Sequence, residues 1–304
     1  MSRIYIIGAG AIGRVLAVLL AEAGRDVVLI QNRAEQPFQR KETITLRVND
    51  TQIISADIEL TALANHQQLD GIIAICTKSF TNADLANQLK AKSGDSPLIL
   101  MQNGLGVENA FIDAKFPELY RAVLFVTSQF NDAGEVSFKP VSTSPLGAIK
   151  ISSSDVEAIV SQISTDIFPF AVSADIQTVI WTKAIINSVF NSICPLLEID
   201  NGIFHRNSDA FSLGRQLIGE CVALAHEYDI DLDANAIGER VLTISRMSDG
   251  QLISTLQDIN AGRPTEIETL NLAMAALAGA KGKSEVTRQT EILGELVQLK
   301  SMKD

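Results

Sequence analysis

Ile4-Tyr5-Ile6-Ile7-Gly8-Ala9-Gly10-Ala11-Ile12-Gly13 decides the fold: an apolar run of strand length is closed by glycines in the spacing G-x-G-x-x-G. An Ala/Leu-rich helical stretch continues to Gly24, and a second apolar run, Val27 to Ile30, completes a strand, helix, strand unit. In such a unit the first glycine permits the tight turn, the second lets a pyrophosphate approach the backbone, and the third lets helix and strand pack closely. Ala11, Ile12 and Gly13 then fall in the first helical turn, whose unpaired N–H groups favour phosphate. Gly8, Gly10, Ala11, Ile12 and Gly13 are therefore candidate cofactor-binding residues. The spaced glycines, with Glu22, Arg25 and Asp26 closing the run, read as this unit rather than as a signal sequence.

A dinucleotide site of this type usually places Asp or Glu at the end of the second strand to hold the ribose 2′-hydroxyl. Gln31-Asn32-Arg33 stands there instead, and Asp26 lies at the wrong end of the strand. A guanidinium fork suits a phosphate. Arg33, helped by the amide of Asn32, therefore points to NADP (NADPH); the competing reading makes Arg33 a solvated charge and gives the ribose to Glu35.

Farther along, Thr43 to Val48 and Gln52 to Ser55 flank Asn49-Asp50 as a hairpin. Gly71 to Thr77 reads as a buried strand, Asn82 to Ala91 as a helix and Pro97 to Met101 as a strand. From Tyr120 to about Ile151 the chain is β-rich, with Val123 to Gln129, Val136 to Lys139 and Leu146 to Lys150 as strands. Beyond Asp175 the pattern is helical, interrupted by Pro195, Gly202, Gly262, Pro264 and the Gly279 to Gly282 stretch. The expected class is α/β: a Rossmann-type, doubly wound sheet over residues 1–174, then an all-helical domain over 175–304.

Composition narrows the function. With 46% hydrophobic residues in 304, the chain can bury two cores, and its net charge of −11 supplies no basic face for nucleic acid. No second long uncharged apolar run suggests a membrane span. Cys76, Cys194 and Cys221 are too dispersed for a disulfide framework, as expected of a reducing, cytoplasmic compartment. His66, His205 and His226 form no ligand pattern, so no metal is expected.

In the helical half, Val179 to Ile193 is almost wholly apolar yet carries Lys183, Asn187 and Asn191 at i, i+4 and i+8. That stripe on a mostly buried helix suggests a wet cavity, in which a lysine can donate a proton. The alternative is a snorkelling lysine beside two asparagines at an exposed seam.

The glycine fingerprint, Thr77-Lys78-Ser79, Gln102-Asn103-Gly104-Leu105-Gly106, Trp181-Thr182-Lys183 with Asn187 and Asn191, and Ser254-Thr255-Leu256-Gln257-Asp258 followed by Thr265-Glu266-Ile267-Glu268 together resemble the ketopantoate reductase (2-dehydropantoate 2-reductase) family over nearly the whole chain. The resemblance implies that Lys183 is the general acid and that Glu266 orients it and the substrate hydroxyl. It implies that Asn187, Asn191 and Ser254 hold the hydroxyl and carboxylate ends, and that Asn103 and Lys78 lie on the cofactor side, Asn103 near both ligands. Two departures stand out: Asn32 replaces an arginine common at that place, and Gly279 to Ser284 replaces a proline-containing loop. The implied activity is NADPH-dependent reduction of 2-dehydropantoate to (R)-pantoate in pantothenate synthesis. The alternatives are a reductase of another branched 2-oxo acid and a catalytically silent NADP-binding sensor. A small-molecule 2-oxo acid is the expected partner, with a homodimer suggested by the apolar helical half.

Overall fold

The computed structural model describes residues 2–33, 36–131, 133–150 and 155–302. Met1–Gln102 with Val107–Ile176 forms one compact unit, and Asn103–Gly106 with Gln177–Asp304 forms another.

In the first unit, β1 (Arg3–Ile7), α1 (Ala11–Glu22) and β2 (Val27–Gln31) build the opening unit of the sheet. There follow β3 (Gln39–Val48), β4 (Gln52–Ala62), β5 (Gly71–Ile75), α2 (Asn82–Lys90), β6 (Leu98–Leu100), α3 (Asn109–Asp113) and β7 (Leu119–Ala122). β8 (Val126–Phe130), β9 (Val136–Pro140), β10 (Ser144–Lys150), α4 (Val156–Ile163) and β11 (Phe170–Val172) complete it. Among the described residues the strands form one sheet in the order β11-β10-β7-β6-β5-β1-β2-β4-β3-β9-β8. β4, β2, β1, β5, β6 and β7 run parallel along its centre.

Alternation along the central strands explains the two layers. Ile4, Ile6, Leu29, Ile72, Ala74 and Ile99 pack with Val15 to Leu20 of α1 and with Ile159 and Ile163 of α4. Tyr5, Ile7, Val28, Ile30, Ile73 and Ile75 pack with Leu85, Ala86 and Leu89 of α2 and Phe111 of α3 on the opposite face. Strands buried on both faces read as continuous apolar runs, and covering helices make the sheet doubly wound.

Several elements differ from their sequence expectation. The hairpin turns at Asn49 and Asp50, both at positive φ (48° and 63°), but β4 runs on to Ala62. Its first half pairs with β3 and its second half also joins β2, so Asp57 and Glu59 lie within a strand whose polar alternation conceals it. The expected strand Val123 to Gln129 starts only at Val126, as β8, while a separate strand, β7, ends just before it at Ala122. α4 starts at an Asp155 cap whose carboxylate accepts from the Glu157 N–H at 3.0 Å. Its apolar residues, Val156, Ile159, Val160 and Ile163, recur at helical spacing.

Among its described residues the elements of the second unit are all helices: α5 (Ile176–Leu197, from Gln177 on), α6 (Ile203–Arg206), α7 (Ser208–His226), α8 (Ala234–Met247), α9 (Ser254–Asn260), α10 (Asn271–Ala280) and α11 (Arg288–Ser301). Pro195, expected to break α5, sits inside it. Pro195 lacks the N–H that would serve the carbonyl of Asn191 and its ring crowds that carbonyl, but only two helical residues follow it. α5 is long and apolar enough to cross a membrane, but most of it is buried within the protein, so its apolarity serves the core. Glu220 of α7 accepts from Gln289 N–H, Thr290 N–H and the Thr290 hydroxyl, closing the start of α11 with a carboxylate from a neighbouring helix.

Candidate active site

In the first unit the glycine turn is imposed by backbone contact. Gly8 has φ +119°, and a Cβ there would lie 2.7 Å from the Thr77 nitrogen and 2.8 Å from the Cys76 carbonyl carbon. A Cβ on Gly13 would lie 1.9 Å from the Gly8 carbonyl oxygen, so only glycine lets α1 start this close to the turn. Gly10 is different: a Cβ there would meet nothing within 4 Å. The space in front of it is open. Gly10 also caps α1 without a side-chain hydrogen bond, and the first turn has no acidic residue, so the N–H groups at Ala11, Ile12 and Gly13 face no built-in anion. These features fit a diphosphate.

Arg14, which sequence reasoning does not single out, braces the turn by donating from Nε to the Ala9 carbonyl at 3.0 Å. Its Nη1 pairs with Glu42 at 2.6 Å, and this hydrogen bond holds the Glu42 carboxyl below its usual range. At the end of β2, the buried Oδ1 of Asn32 has no hydrogen-bond partner, an amide with unused capacity beside the expected ribose site. Arg33 is exposed, its guanidinium carbon 5.2 Å from the centroid of Phe80, which is itself half exposed. Lys78 is exposed after β5. Glu35 lies outside the described residues.

The second unit gathers side chains rather than glycines. Lys183 and Asn187 are half-buried on α5, and Asn191 is buried one turn farther. Asn191 donates to the Asn187 carbonyl at 2.9 Å, while its Oδ1 accepts from the Ser254 hydroxyl at 3.2 Å and the Thr255 N–H at 3.3 Å. This side chain ties α5 to the first turn of α9. Ser254 stays exposed on that turn.

The strut is reinforced from both sides. Before α9, Asp200 accepts from Gly202 N–H at 2.7 Å, Gly250 N–H at 3.1 Å and Arg206 Nη2 at 2.7 Å. The Arg206 hydrogen bond is the main reason its carboxyl is pulled down to about 2. After α9, Arg263 donates to Asp258 from Nε at 2.9 Å and from its own N–H to the Asp258 carbonyl at 2.8 Å, folding the break that leads to Glu266.

Asn103 and Glu266 come together, Nδ2 to Oε2 at 3.5 Å. The contact is held by neighbours: the Leu105 N–H donates to the Thr269 carbonyl at 2.8 Å, and the Thr269 hydroxyl to the Glu266 carbonyl at 3.1 Å. Gly104 lies so close that a Cβ would be 2.3 Å from the Thr269 oxygen, at φ +95°. This packing is why Asn103–Gly106 groups with the helices rather than with the sheet, so no cut at a single point of the chain separates the two units. The structure thus joins Asn103 to Glu266 and Asn187 to Asn191 to Ser254, with Lys183 on the same helical stripe as the asparagines, while Gly8 to Gly13, Asn32, Arg33 and Lys78 belong to the first unit.

Comparison with known proteins is consistent along the chain. The family described as "Ketopantoate reductase PanE/ApbA" matches residues 4–152, and "Ketopantoate reductase PanE/ApbA C terminal" matches 175–301. The chain is 26% identical over 285 residues to 2-dehydropantoate 2-reductase of Pyrococcus abyssi, covering 88% of each, and 25% identical over 276 residues to that of Archaeoglobus fulgidus, covering 90% of each. Among solved structures, D-mandelate dehydrogenase with NADH and anilino(oxo)acetate superposes with a TM-score of 0.85 at 21% identity, over 98% of each chain. A dimeric ketopantoate reductase from Staphylococcus aureus gives 0.81 at 20% identity, over 98% of this chain and 99% of that one.

Proposed function

Because the chain belongs to the ketopantoate reductase family, oxidoreductases acting on a CH–OH group with a nicotinamide cofactor, we propose that it reduces 2-dehydropantoate to (R)-pantoate with NADPH, in pantothenate synthesis in the cytoplasm. The observation that carries this reading is the set of polar side chains in the second unit. Asn103 is paired with Glu266, and Ser254 is strutted by Asn191, on the helix that bears Lys183. A sensor would need the glycine turn but has no chemical use for these groups.

When bound, NADPH supplies hydride to the carbonyl carbon of the substrate. The N–H groups of Ala11, Ile12 and Gly13 would hold its diphosphate, and the open space at Gly10 would admit it. Arg33, whose guanidinium lies over the Phe80 ring, would receive the 2′-phosphate together with the N–H groups of the Asn32 amide, the unpaired Asn32 Oδ1 would accept from a ribose hydroxyl, and Lys78 would add positive charge on the phosphate side. As negative charge develops on the carbonyl oxygen, the Lys183 ammonium donates its proton there. The Glu266 carboxylate orients that ammonium and accepts from the substrate hydroxyl. Asn103 fixes the reacting face, and Ser254 and Asn187 donate to the carboxylate and hydroxyl ends. Asn191 serves by holding Ser254 in place.

A second reading, reduction of another branched 2-oxo acid, is favoured by the D-mandelate dehydrogenase likeness, whose ligand, anilino(oxo)acetate, is itself an oxo acid. A panel of 2-oxo acids, assayed by oxidation of NADPH and of NADH, separates the readings. Highest kcat/KM for 2-dehydropantoate with NADPH supports the first, and a higher value for a different branched or aryl 2-oxo acid replaces it with the second. We also propose a homodimer, the state named for the Staphylococcus aureus relative, which sedimentation velocity tests.

A further inference from the structure

Asn103–Gly106 is an excursion of four residues, and its two ends are held by buried polar side chains that no step above uses. Asn82, 5% exposed on α2, donates from Nδ2 to Gln102 Oε1 at 2.8 Å and to the Val107 carbonyl at 2.7 Å. Gln102 answers from Nε2 to Asn82 Oδ1 at 2.7 Å and to the Thr77 carbonyl at 2.9 Å. Arg121, 1% exposed on β7, donates from Nη2 to the Gln102 carbonyl at 3.1 Å and pairs through Nη1 with Glu108. Each of the two side chains therefore spans the excursion, Asn82 from Gln102 to Val107 and Arg121 from Gln102 to Glu108. Together they pinch its ends.

Stability alone is a poor account of this arrangement. A buried ion pair gains little over well-packed apolar residues of the same volume, because desolvation offsets the attraction. An apolar pair, however, cannot reach backbone carbonyls on both flanks of a loop. What the polar version adds is a fixed separation and direction of the two chain ends, in a site too dry for water to substitute. The residue that leaves the first clamped end is Asn103.

We propose that Asn82 and the Arg121–Glu108 pair are positioning residues, which set the place of the Asn103 amide for the reduction without touching substrate or cofactor. The inference rests on the reading above that Asn103 acts beside the reacting groups. Misplacing a reacting group by about an ångström costs roughly a hundredfold in rate, so loosening one flank should lower kcat by about 10- to 100-fold.

The test is a double-mutant cycle with Asn82→Ala and Asn103→Ala, measuring kcat, NADPH affinity by fluorescence titration, and amide hydrogen exchange at Leu105 in the ligand-free protein. The expected result is a kcat loss in Asn82→Ala with NADPH affinity within about twofold of the unaltered protein, faster exchange at Leu105, and no further kcat loss when Asn82→Ala is added to Asn103→Ala. Additive losses, unchanged kcat in Asn82→Ala, or unchanged exchange at Leu105 overturns the proposal. Should Asn82→Ala fail to fold, Arg121→Lys, which keeps the charge but cannot span Gln102 and Glu108, takes its place in the cycle with the same expected outcome. A kcat for Asn103→Ala equal to that of the unaltered protein sinks the role of Asn103 and the inference together. A loss in Asn103→Ala with additivity sinks the inference alone.

Discussion

The glycine turn of the first unit and the Lys183 stripe of the second are built by opposite means. At Gly8 and Gly13 the working feature is the absence of a side chain, enforced by backbone atoms that a Cβ would strike at 2.7 Å and 1.9 Å. On α5 the working features are the ends of long side chains, half-buried at Lys183 and Asn187 and cross-braced through Asn191 to Ser254. A backbone site of the first kind is read along one contiguous peptide, although the atoms that crowd Gly8, from Cys76 and Thr77, come from just after the neighbouring strand β5. The second kind is assembled from residues more than 60 positions apart, each held by others that do no chemistry. On the proposed roles, the difference implies that binding and chemistry can be damaged separately.

Lys183→Ala breaks the chemical side of the comparison most severely. Loss of a positioned proton donor should lower kcat by about 10² to 10⁴, equivalent to roughly 3 to 5 kcal/mol in the barrier. NADPH affinity, followed by fluorescence titration, should stay near that of the unaltered protein. Turnover within a few-fold of normal would remove Lys183 from the reaction.

Gly13→Ala attacks the other side and should reverse the pattern. Its Cβ would overlap the Gly8 carbonyl, which must move. Stability in urea should fall by about 3 kcal/mol, the upper part of the usual range for overpacking, and cofactor affinity should fall with it. A normal urea midpoint would show that the turn can yield, and the contrast drawn above would fail.

Arg33→Ala sharpens the comparison, because it is the one side chain expected to decide between cofactors in the otherwise backbone-built half. Losing a charge-assisted hydrogen bond of about 1.5 to 3 kcal/mol should weaken NADPH by roughly 10- to 150-fold and leave NADH nearly unchanged. Equal weakening of both cofactors would make Arg33 structural, its role limited to the stack on Phe80.

How far the sequence could be read follows from the range over which each residue acts. The glycine spacing, the central strands and the stripe on α5 are local patterns, and they stand at their expected places in β1, α1, β2 and α5. Ser254 and Glu266 were brought in by resemblance to a family, since nothing within their own segments marks them. Arg14, Asn82, Glu108 and Arg121 give no signal, because each acts through partners well along the chain: Arg14 on Glu42, Asn82 on Gln102, Arg121 on Glu108. The expected strand over Gln52 to Ser55 is shorter than β4 for the same reason, as its continuation to Ala62 is held by β3 on one side and, from Glu59, by β2 on the other.

The sequence by itself determined the alternation of strand and helix, the positions where a side chain is forbidden, and the half of the chain that carries the polar stripe. Those follow from period, from glycine spacing and from the shortage of polar residues on α5, all of which are legible within a few residues, even though the atoms that forbid a Cβ at Gly8 come from Cys76 and Thr77. Only the tertiary structure decided that Asn103–Gly106 leaves the sheet to pack on Thr269, that Asn191 spends its amide on Ser254 and Thr255, and that Asn82 and Arg121 close the ends of one loop. A hydrogen bond between distant residues depends on where the intervening elements pack. That packing is the sum of many weak burial terms, so no single residue announces it.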